Sequence, residues 1–224
     1  MTFQSKDNIS DDLYHALLLD YAAGRLDEAK NLIIAAHISM SGKARRYIEH
    51  YESLGGYVLE QDCTPVSLCE SALDSILEKI DTLESKEPPI QKAAFPGGLD
   101  VPAPLQECLG AQRGKIGWKF MYPGFKTFKV ELDCKAAHTR FLKVAPSRQT
   151  PHHTHGGMEI TLILDGAYED EFGRYQRGDL IIKDENHTHS PQSCPQYGCT
   201  CMIVSDTPIK FTGLSKLLNF FVRI

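Results

Sequence analysis

The chain has 224 residues, of which 42% are hydrophobic, and it carries a formal net charge of -5 with a pI near 6.0. This size predicts one large globular domain or two small ones, and the acidic balance disfavours direct binding to nucleic acid. No apolar run is long enough to cross a membrane, and we read no secretory signal at the start. The seven cysteines are scattered, which fits reduced thiols. We therefore expect a cytoplasmic protein without a membrane partner.

Two helices are predicted in the first forty residues, because apolar residues recur there at intervals of three and four. The first is expected to begin at a cap within residues 10–12 and to end at Gly24. The second has Asp27 as its cap and continues to Met40.

Two further helices are predicted before residue 85. The third is centred on residues 44–54 and is expected to stop at Gly55-Gly56. The fourth has Pro65 in its first turn and carries one apolar stripe as far as Leu83. We expect the four helices to bury their apolar stripes against one another in a small N-terminal domain, residues 1–85.

The next segment, residues 86–104, contains five prolines and two glycines and is predicted to be a linker between domains. Beyond it, residues 105–224 are predicted to form an all-β domain, a sandwich or barrel, because short β-branched runs follow one another without intervening helices. Asp165-Gly166 is a strong signal for a two-residue hairpin. The predicted strands cover residues 118–122, 127–132, 139–144, 160–164, 180–183, 200–204 and 217–223.

A group of metal-binding residue types stands at the front of one of these apolar runs. His153 and His155 are two residues apart, so both imidazoles leave the same face of a strand. Two glycines then allow the backbone to bend, so that Glu159 can face the same interior. A fourth ligand must come from another strand, and His187 and His189 are the candidates.

The spacing H-x-H-x(3)-E-x(6)-G, formed by His153, His155, Glu159 and Gly166, resembles the first motif of the cupin superfamily. The resemblance implies a double-stranded β-helix, or jelly roll, whose ligands converge inside the barrel. It also implies that the last ligand follows a Gly-Asp pair by about ten positions. That distance selects His189 and leaves His187 in reserve.

Three imidazoles and one carboxylate suit zinc, iron, manganese, nickel or copper. We expect one divalent transition metal per chain in the β domain, with zinc as the first expectation, held by His153, His155, Glu159 and His189. The neighbouring His152 and the more distant His138 are expected to support the ligands or to lie at the surface.

The two halves together resemble ChrR-type anti-sigma factors, in which a helical sigma-binding domain is joined to a cupin-like sensor domain. Five segments carry this resemblance: YAAGRLDEAKNLIIAAHISMS at 21–41, ESLGGYVLE at 52–60, HGGMEITLILDGAYEDEFGRYQRGDL at 155–180, CTCM at 199–202, and the closing FFVRI. The resemblance implies that the N-terminal helices bind an extracytoplasmic-function (ECF) sigma factor. It further implies that the metal-binding barrel registers a small-molecule or oxidant signal.

The sequence departs from that family at one point. The helical domain of the family usually carries its own zinc, held by an early histidine and by H-x(3)-C-x(2)-C. Here His37 is kept, but Ser41 and Ala44 occupy the cysteine positions and Asp12 the early one. Because alanine cannot bind a cation and a neutral hydroxyl is a poor replacement for a thiolate, we expect no zinc in the N-terminal domain, and His37 should lie on a helix surface or between helices.

Two interpretations remain open at the level of the sequence. Cys199 and Cys201 share one face of a strand and are either a redox-sensitive pair or, as we favour, two small apolar strand residues. The whole chain, in turn, could be a cupin-type dioxygenase or isomerase, or a metal-stabilised interaction module, because fold does not dictate function. Regulation of a sigma factor is the function we expect.

Overall fold

The computed structural model describes residues 8–82, 98–111, 117–132 and 138–212. The helices in these ranges are α1 (Asn8–Ala22), α2 (Glu28–Met40), α3 (Gly42–Asp62), α4 (Ala72–Thr82) and α5 (Ala103–Ala111). The strands are β1 (Lys119–Tyr122), β2 (Phe125–Lys129), β3 (His138–Val144), β4 (His153–Thr154), β5 (Glu159–Asp170), β6 (Gly173–Gln176), β7 (Leu180–Lys183), β8 (Thr188–His189), β9 (Gln192–Ser193), β10 (Cys199–Ser205) and β11 (Lys210–Phe211). The expected arrangement, N-terminal helices followed by an all-β domain, is confirmed.

Helix α2 lies at the centre of the helical part. It contacts helices α1, α3 and α5 and also strands β5 and β10. Its predicted cap is confirmed, since the Asp27 side chain accepts a hydrogen bond of 2.9 Å from the Lys30 backbone N–H. Because both helices and strands contact α2, Ile34 is buried as fully as Ile33, which a single apolar stripe does not predict.

One hydrophobic core joins the helices to the sheet. It includes Leu18 of α1, Ile33 of α2, Leu105 of α5, Phe141 of β3 and Met202 of β10, all of them essentially inaccessible to solvent. Apolar area removed from water stabilises a fold by roughly 25 cal/mol per Å². The helical part is therefore fixed to the sheet by burial as well as by the chain connection.

The observed helix limits correct the predicted start of α1 and the predicted end of α3. Helix α1 already begins at Asn8, so residues 10–12 lie in its first turns, while its end near Gly24, whose φ is +66°, is as predicted. Helix α3 does not stop at Gly55-Gly56 but continues to Asp62. Glycine costs a helix about 1 kcal/mol relative to alanine, which lowers helix stability without ending the helix.

Helix α4 also differs from the prediction. It begins at Ala72, and residues 63–69, including Pro65, form neither helix nor strand. Proline is accepted in a first helical turn but does not create one, and no packing surface supports a helix there. Contrary to our expectation of a shared four-helix core, α4 has no buried residue.

The strands form two antiparallel sheets. The larger has the order β1-β2-β3-β10-β5-β6, with β7 and β9 also pairing with β5, and the smaller has the order β11-β4-β8. A cavity of about 70 Å³ is lined by residues of both sheets. The hairpin predicted at Asp165-Gly166 is wrong, because β5 continues through Gly166 to Asp170 and turns only at residues 171–172.

Gly166 instead marks an irregularity inside β5. Its φ is +71°, and the register with β10 shifts between Thr200 and Cys201. A Cβ at this position would collide with the carbonyl oxygen of Gly198. Glycine is therefore required here by a close approach of two strands rather than by a turn.

Part of the predicted linker is packed against the rest of the molecule. Val101 is buried, Arg177 donates a hydrogen bond of 3.2 Å to the Asp100 carbonyl oxygen, and α5 spans the predicted boundary at 104–105 to pack against α2. The predicted linker residues 86–97, the helix end at Leu83 and the strand at 217–223 lie outside the described residues. None of the described helices combines the length and apolar character that crossing a bilayer requires.

Candidate metal centre

Pairing between the short strands β4 and β8 brings His153 and His189 together. β4 and β8 are antiparallel neighbours in which His153 faces His189 and Thr154 faces Thr188. His155 follows β4 directly, and Glu159 is the first residue of β5, after the bend at Gly156 and Gly157. All three imidazoles and the Glu159 carboxylate are buried.

The three histidines form a compact group of potential ligands. One ring nitrogen from each of His153, His155 and His189 lies within 4.8 Å of the others. The His155 Nε2 and His189 Nε2 atoms are 3.3 Å apart. Within the described ranges this is the one group of three or more His, Cys, Asp or Glu residues close enough to share an ion.

Hydrogen bonds fix which nitrogen of two rings faces the centre. The Nδ1–H of His153 donates to the Pro151 carbonyl oxygen at 2.9 Å, and that of His189 donates to Asp170 Oδ2 at 2.8 Å. In the neutral form of each ring, Nε2 is then the unprotonated nitrogen, and its lone pair is what a transition metal requires. The donor set therefore fits a divalent metal.

The carboxylate of Glu159 lies beside the histidine group rather than within it. Its Oε2 is 3.5 Å from His155 Nδ1, a buried nitrogen with no hydrogen-bond partner among the described residues. The carboxylate oxygens do not belong to the set of atoms within 4.8 Å of one another. Glu159 is thus adjacent to the site, and its part as a fourth ligand stays a prediction.

The pKa values of two of these groups correspond to the forms that a metal binds. Burial, together with repulsion from His189, lowers the pKa of His153 to about 4. Burial acts to raise the pKa of Glu159, but the imidazoles of His155, His153 and His189 outweigh it and lower that pKa to about 2. At neutral pH His153 is a neutral imidazole and Glu159 a carboxylate, so neither must lose a proton before coordination.

The other histidines near the site take different positions. His187 is turned away and bonds through Nδ1 to Asp184 Oδ1 at 2.7 Å, so the structure brings His189 and not His187 to the group. His152 is exposed and pairs with Glu171, with its Nε2 3.6 Å from Oε1. His138 is exposed on β3.

Asp170 contacts the candidate site, and the sequence did not predict this position. Its carboxylate is fully buried against His189 Nδ1. Burial acts to raise the pKa of Asp170, but the hydrogen bonds from His189 and from the Phe172 N–H outweigh it, so the pKa is lowered. No local pattern identifies this residue, because its position depends on β5 passing Gly166 without a turn. A carboxylate behind a metal-binding histidine typically orients the ring and strengthens it as a ligand.

His37 lies between helices, which was one of the two positions expected for it, and it also contacts the β domain. It is buried, and its Nδ1–H donates to the Gly178 carbonyl oxygen at 3.0 Å, so it joins α2 to the turn between β6 and β7. Its Nε2 accepts a hydrogen bond of 2.9 Å from Tyr14 of α1. Ser41 caps α3 by accepting from the Ala44 N–H at 3.2 Å, and Ala44 is buried.

Cys199 and Cys201 are buried and line the cavity inside the barrel. A hydrogen bond with Cys199, together with burial, raises the pKa of the Cys201 thiol well above its ordinary value. The thiolate is the reactive form of cysteine, so the environment of Cys201 opposes reactivity. The favoured interpretation of small apolar strand residues agrees with this environment.

The comparisons with known proteins bear on both halves of the chain. The family described as ChrR Cupin-like domain matches residues 109–207. The anti-sigma-E factor ChrR of Cereibacter sphaeroides is 32% identical over 210 residues, which cover 93% of this chain and 96% of that protein. The crystal structure of Rhodobacter sphaeroides SigE in complex with the anti-sigma ChrR matches with a TM-score of 0.69 and 31% identity, over 86% of this chain and 96% of that one. The chain therefore belongs to the ChrR family of anti-sigma factors.

Proposed function

We propose that this chain binds an ECF-type sigma factor through its N-terminal helices and that a transition metal in the barrel takes part in sensing the signal that releases it. The similar ChrR chain was crystallised in complex with SigE, which supports a sigma-factor partner. The acidic net charge suits a basic, DNA-binding partner. Regulation rather than catalysis is the function proposed.

An exposed apolar stripe on α4 is the observation that carries the sigma-binding part of the proposal. Its four side chains are between 49% and 65% exposed, although they recur at helical spacing. The C-terminal half of α3 adds further exposed apolar side chains. Helix stripes of this kind dock into apolar grooves of partner proteins. The stripe consists of Leu73, Ile76, Leu77 and Ile80, and the α3 residues are Leu54, Tyr57, Val58 and Leu59.

The binding test uses the full-length chain and each ECF-type sigma factor of its source organism, measured by titration and by run-off transcription. We expect one of these sigma factors to bind and its transcription to be repressed. Ile76→Glu should weaken binding at least about tenfold, since burying an isoleucine contributes about 1.5–3 kcal/mol. Ser75→Glu adds the same charge to the exposed helix outside the stripe and serves as the matched control.

Two outcomes would contradict this part of the proposal: no ECF-type sigma factor binds, or Ile76→Glu and Ser75→Glu bind equally well. Because α4 has no buried residue, neither substitution should lower the thermal stability of the chain. Turnover of an oxidisable small molecule by the Fe(II)-loaded protein would instead favour a cupin-type enzyme.

For the metal, we propose that His153, His155 and His189 hold one divalent ion and that Glu159 completes the set. Zinc is the first expectation, and a metal of this kind would act as a charged centre that orients its ligands and any bound molecule. Metal analysis should give one ion per chain, weakened or lost in His155→Ala and Glu159→Ala and unchanged in His37→Ala. Two ions per chain would contradict our expectation that the N-terminal domain holds no zinc.

A further inference from the structure

The cavity inside the barrel differs in polarity from one end to the other. Strand β10 lies between β3 and β5 in the sheet. Residues that pair across these three strands form successive levels, and at alternate levels the side chains face the cavity. One level is polar because it contains Arg140 and Thr161 beside Ile203. The next two levels are apolar and contain Leu142, Cys201 and Ile163, then Val144 and Cys199.

The polar end of the cavity holds a buried positive charge next to the metal centre. Arg140 is only 5% exposed and lines the same cavity as His153, His189 and Glu159. Burial lowers the pKa of Arg140 and the charge of Glu159 acts to raise it, but a guanidinium stays protonated in proteins. A buried cation is costly unless a negative group faces it.

A bound metal would increase the positive charge at this end. Of the described residues, Glu159 is the carboxylate that acts on Arg140, and a divalent ion would share that same carboxylate. Glu159 would then face both the ion and Arg140, so that one carboxylate would be shared by two cations. Positive charge that is not compensated in a buried site favours the binding of a small anion.

The cavity, which includes the place of the ion, sets an upper limit on the size of that anion and determines its character. Its volume is about 70 Å³, whereas one water needs about 10–15 Å³ of such space. Room therefore exists for a ligand of about five to seven non-hydrogen atoms. Phe125, Leu142 and Val144 form apolar walls away from the polar end, which favour a hydrocarbon tail.

We propose that the barrel cavity binds a short-chain monocarboxylate, with Arg140 recognising the carboxylate and the side chains of Leu142 and Val144 receiving the tail. This inference rests on the proposed metal centre and identifies the chemical class of ligand that the centre would take. Arginine suits this part, because its planar guanidinium can donate two parallel hydrogen bonds to one carboxylate.

The test uses the zinc-loaded full-length chain and butyrate, which has six non-hydrogen atoms, with neutral butyramide of the same shape as the control ligand. Calorimetric titration should show butyrate binding at least tenfold more tightly than butyramide. Arg140→Met should reduce butyrate affinity at least tenfold and leave butyramide affinity and zinc content unchanged. Leu19→Ala, on the exposed face of α1, is the control variant and should bind both ligands as the natural chain does.

Three results would overturn the proposal. They are equal affinity for butyrate and butyramide, undiminished butyrate binding by Arg140→Met, and no butyrate binding by the zinc-loaded chain. If Arg140→Met does not fold, the series acetate, butyrate, octanoate tests the cavity without any variant: affinity should peak at butyrate, and a flat series overturns the proposal. A chain without zinc would contradict the proposed metal centre itself, whereas a zinc-loaded chain that ignores butyrate contradicts only this inference.

Discussion

Asp170 shows how much a single buried carboxylate contributes to the candidate site. Its Oδ2 accepts the Nδ1–H of His189, while its Oδ1 accepts backbone N–H groups of Phe172 and Gly173 in the turn after β5. The same side chain therefore fixes both the turn and the histidine ring. The tautomer of His189 that presents Nε2 to a metal depends on this acceptor.

We expect Asp170→Asn to weaken metal affinity by about 10–100-fold, because the amide is a weaker acceptor and lacks the negative charge behind His189. Competition with a chromogenic chelator measures this change. Glu169→Gln removes the same charge from the exposed neighbouring residue and should leave metal affinity as it is. Equal affinities for the two variants would mean that Asp170 has no influence on the site.

His37 should make the stability of the fold depend on pH. Burial lowers its folded-state pKa below 6.5, despite the Gly178 carbonyl and the charge of Asp179, and its Nε2 accepts from Tyr14. As the pH falls below 6.5, the unfolded chain therefore takes up a proton more readily than the folded one. The contribution of His37 to stability is complete above pH 6.5 and decreases below it.

Replacing His37 by glutamine should flatten this pH dependence. Between pH 7 and 5, the unfolding free energy of the natural chain should fall more steeply than that of His37→Gln, by up to about 1.4 kcal/mol per pH unit. Urea denaturation of the metal-free chains at several pH values measures both slopes. His50→Gln, on the exposed side of α3, should keep the natural slope; identical slopes for all three chains would contradict the role of His37.

At the scale of secondary-structure elements, we expect alanine substitutions at two glycines to change the stability of the fold in opposite directions. Gly166 has a positive φ inside β5 and faces the Gly198 carbonyl, whereas Gly55 lies in the exposed half of α3 with open space around it. Gly166→Ala should destabilise the fold by at least about 1–2 kcal/mol, through left-handed strain and collision. Gly55→Ala should stabilise it by about 0.5–1 kcal/mol. Thermal unfolding distinguishes the two; a stabilised Gly166→Ala would contradict the described bulge.

Features that depend on local periodicity could be predicted from the sequence. Two such features are the shared direction of the His153 and His155 side chains and the capping of α2 by Asp27. Each involves residues only a few positions apart. The path of β5 past Gly166 and the burial of His37 could not be predicted, because both depend on partners more than thirty residues away, Gly198 and Gly178. Tertiary contacts override local signals at such positions.

At the scale of the whole molecule, a short series of contacts connects the metal-binding segment to the helices. Asp206 holds this segment, since its Oδ2 accepts the Met158 N–H at 3.2 Å and its own N–H donates to the Met158 carbonyl at 3.0 Å. Lys30 Nζ of α2 lies 3.1 Å from Asp206 Oδ1 and 3.3 Å from Asp27 Oδ2. Met158 stands between His155 and Glu159, so ordering of the ligands by a metal can reach the first turn of α2.

We expect zinc to slow amide hydrogen exchange in both the barrel and α2 of the natural chain. In Lys30→Met, which removes the ion pair with Asp206, zinc should still protect the barrel but no longer α2. Exchange followed by mass spectrometry measures the two regions separately. Arg25→Met removes a solvent-exposed pair with Asp20 and should keep the natural pattern; zinc-dependent protection of α2 in Lys30→Met would show that this contact does not couple the two halves.

Ser41 has a consequence for how the molecule responds to loss of metal. Its N–H donates to the His37 carbonyl at the end of α2, and its hydroxyl begins α3, so one ordinary residue forms the corner between two helices. Because hydrogen bonds and not metal ligands form this corner, a chelator should not disrupt it. Removing metal ions should therefore leave the corner between α2 and α3 intact, although it would disturb the barrel and the contacts that connect the barrel to the first turn of α2.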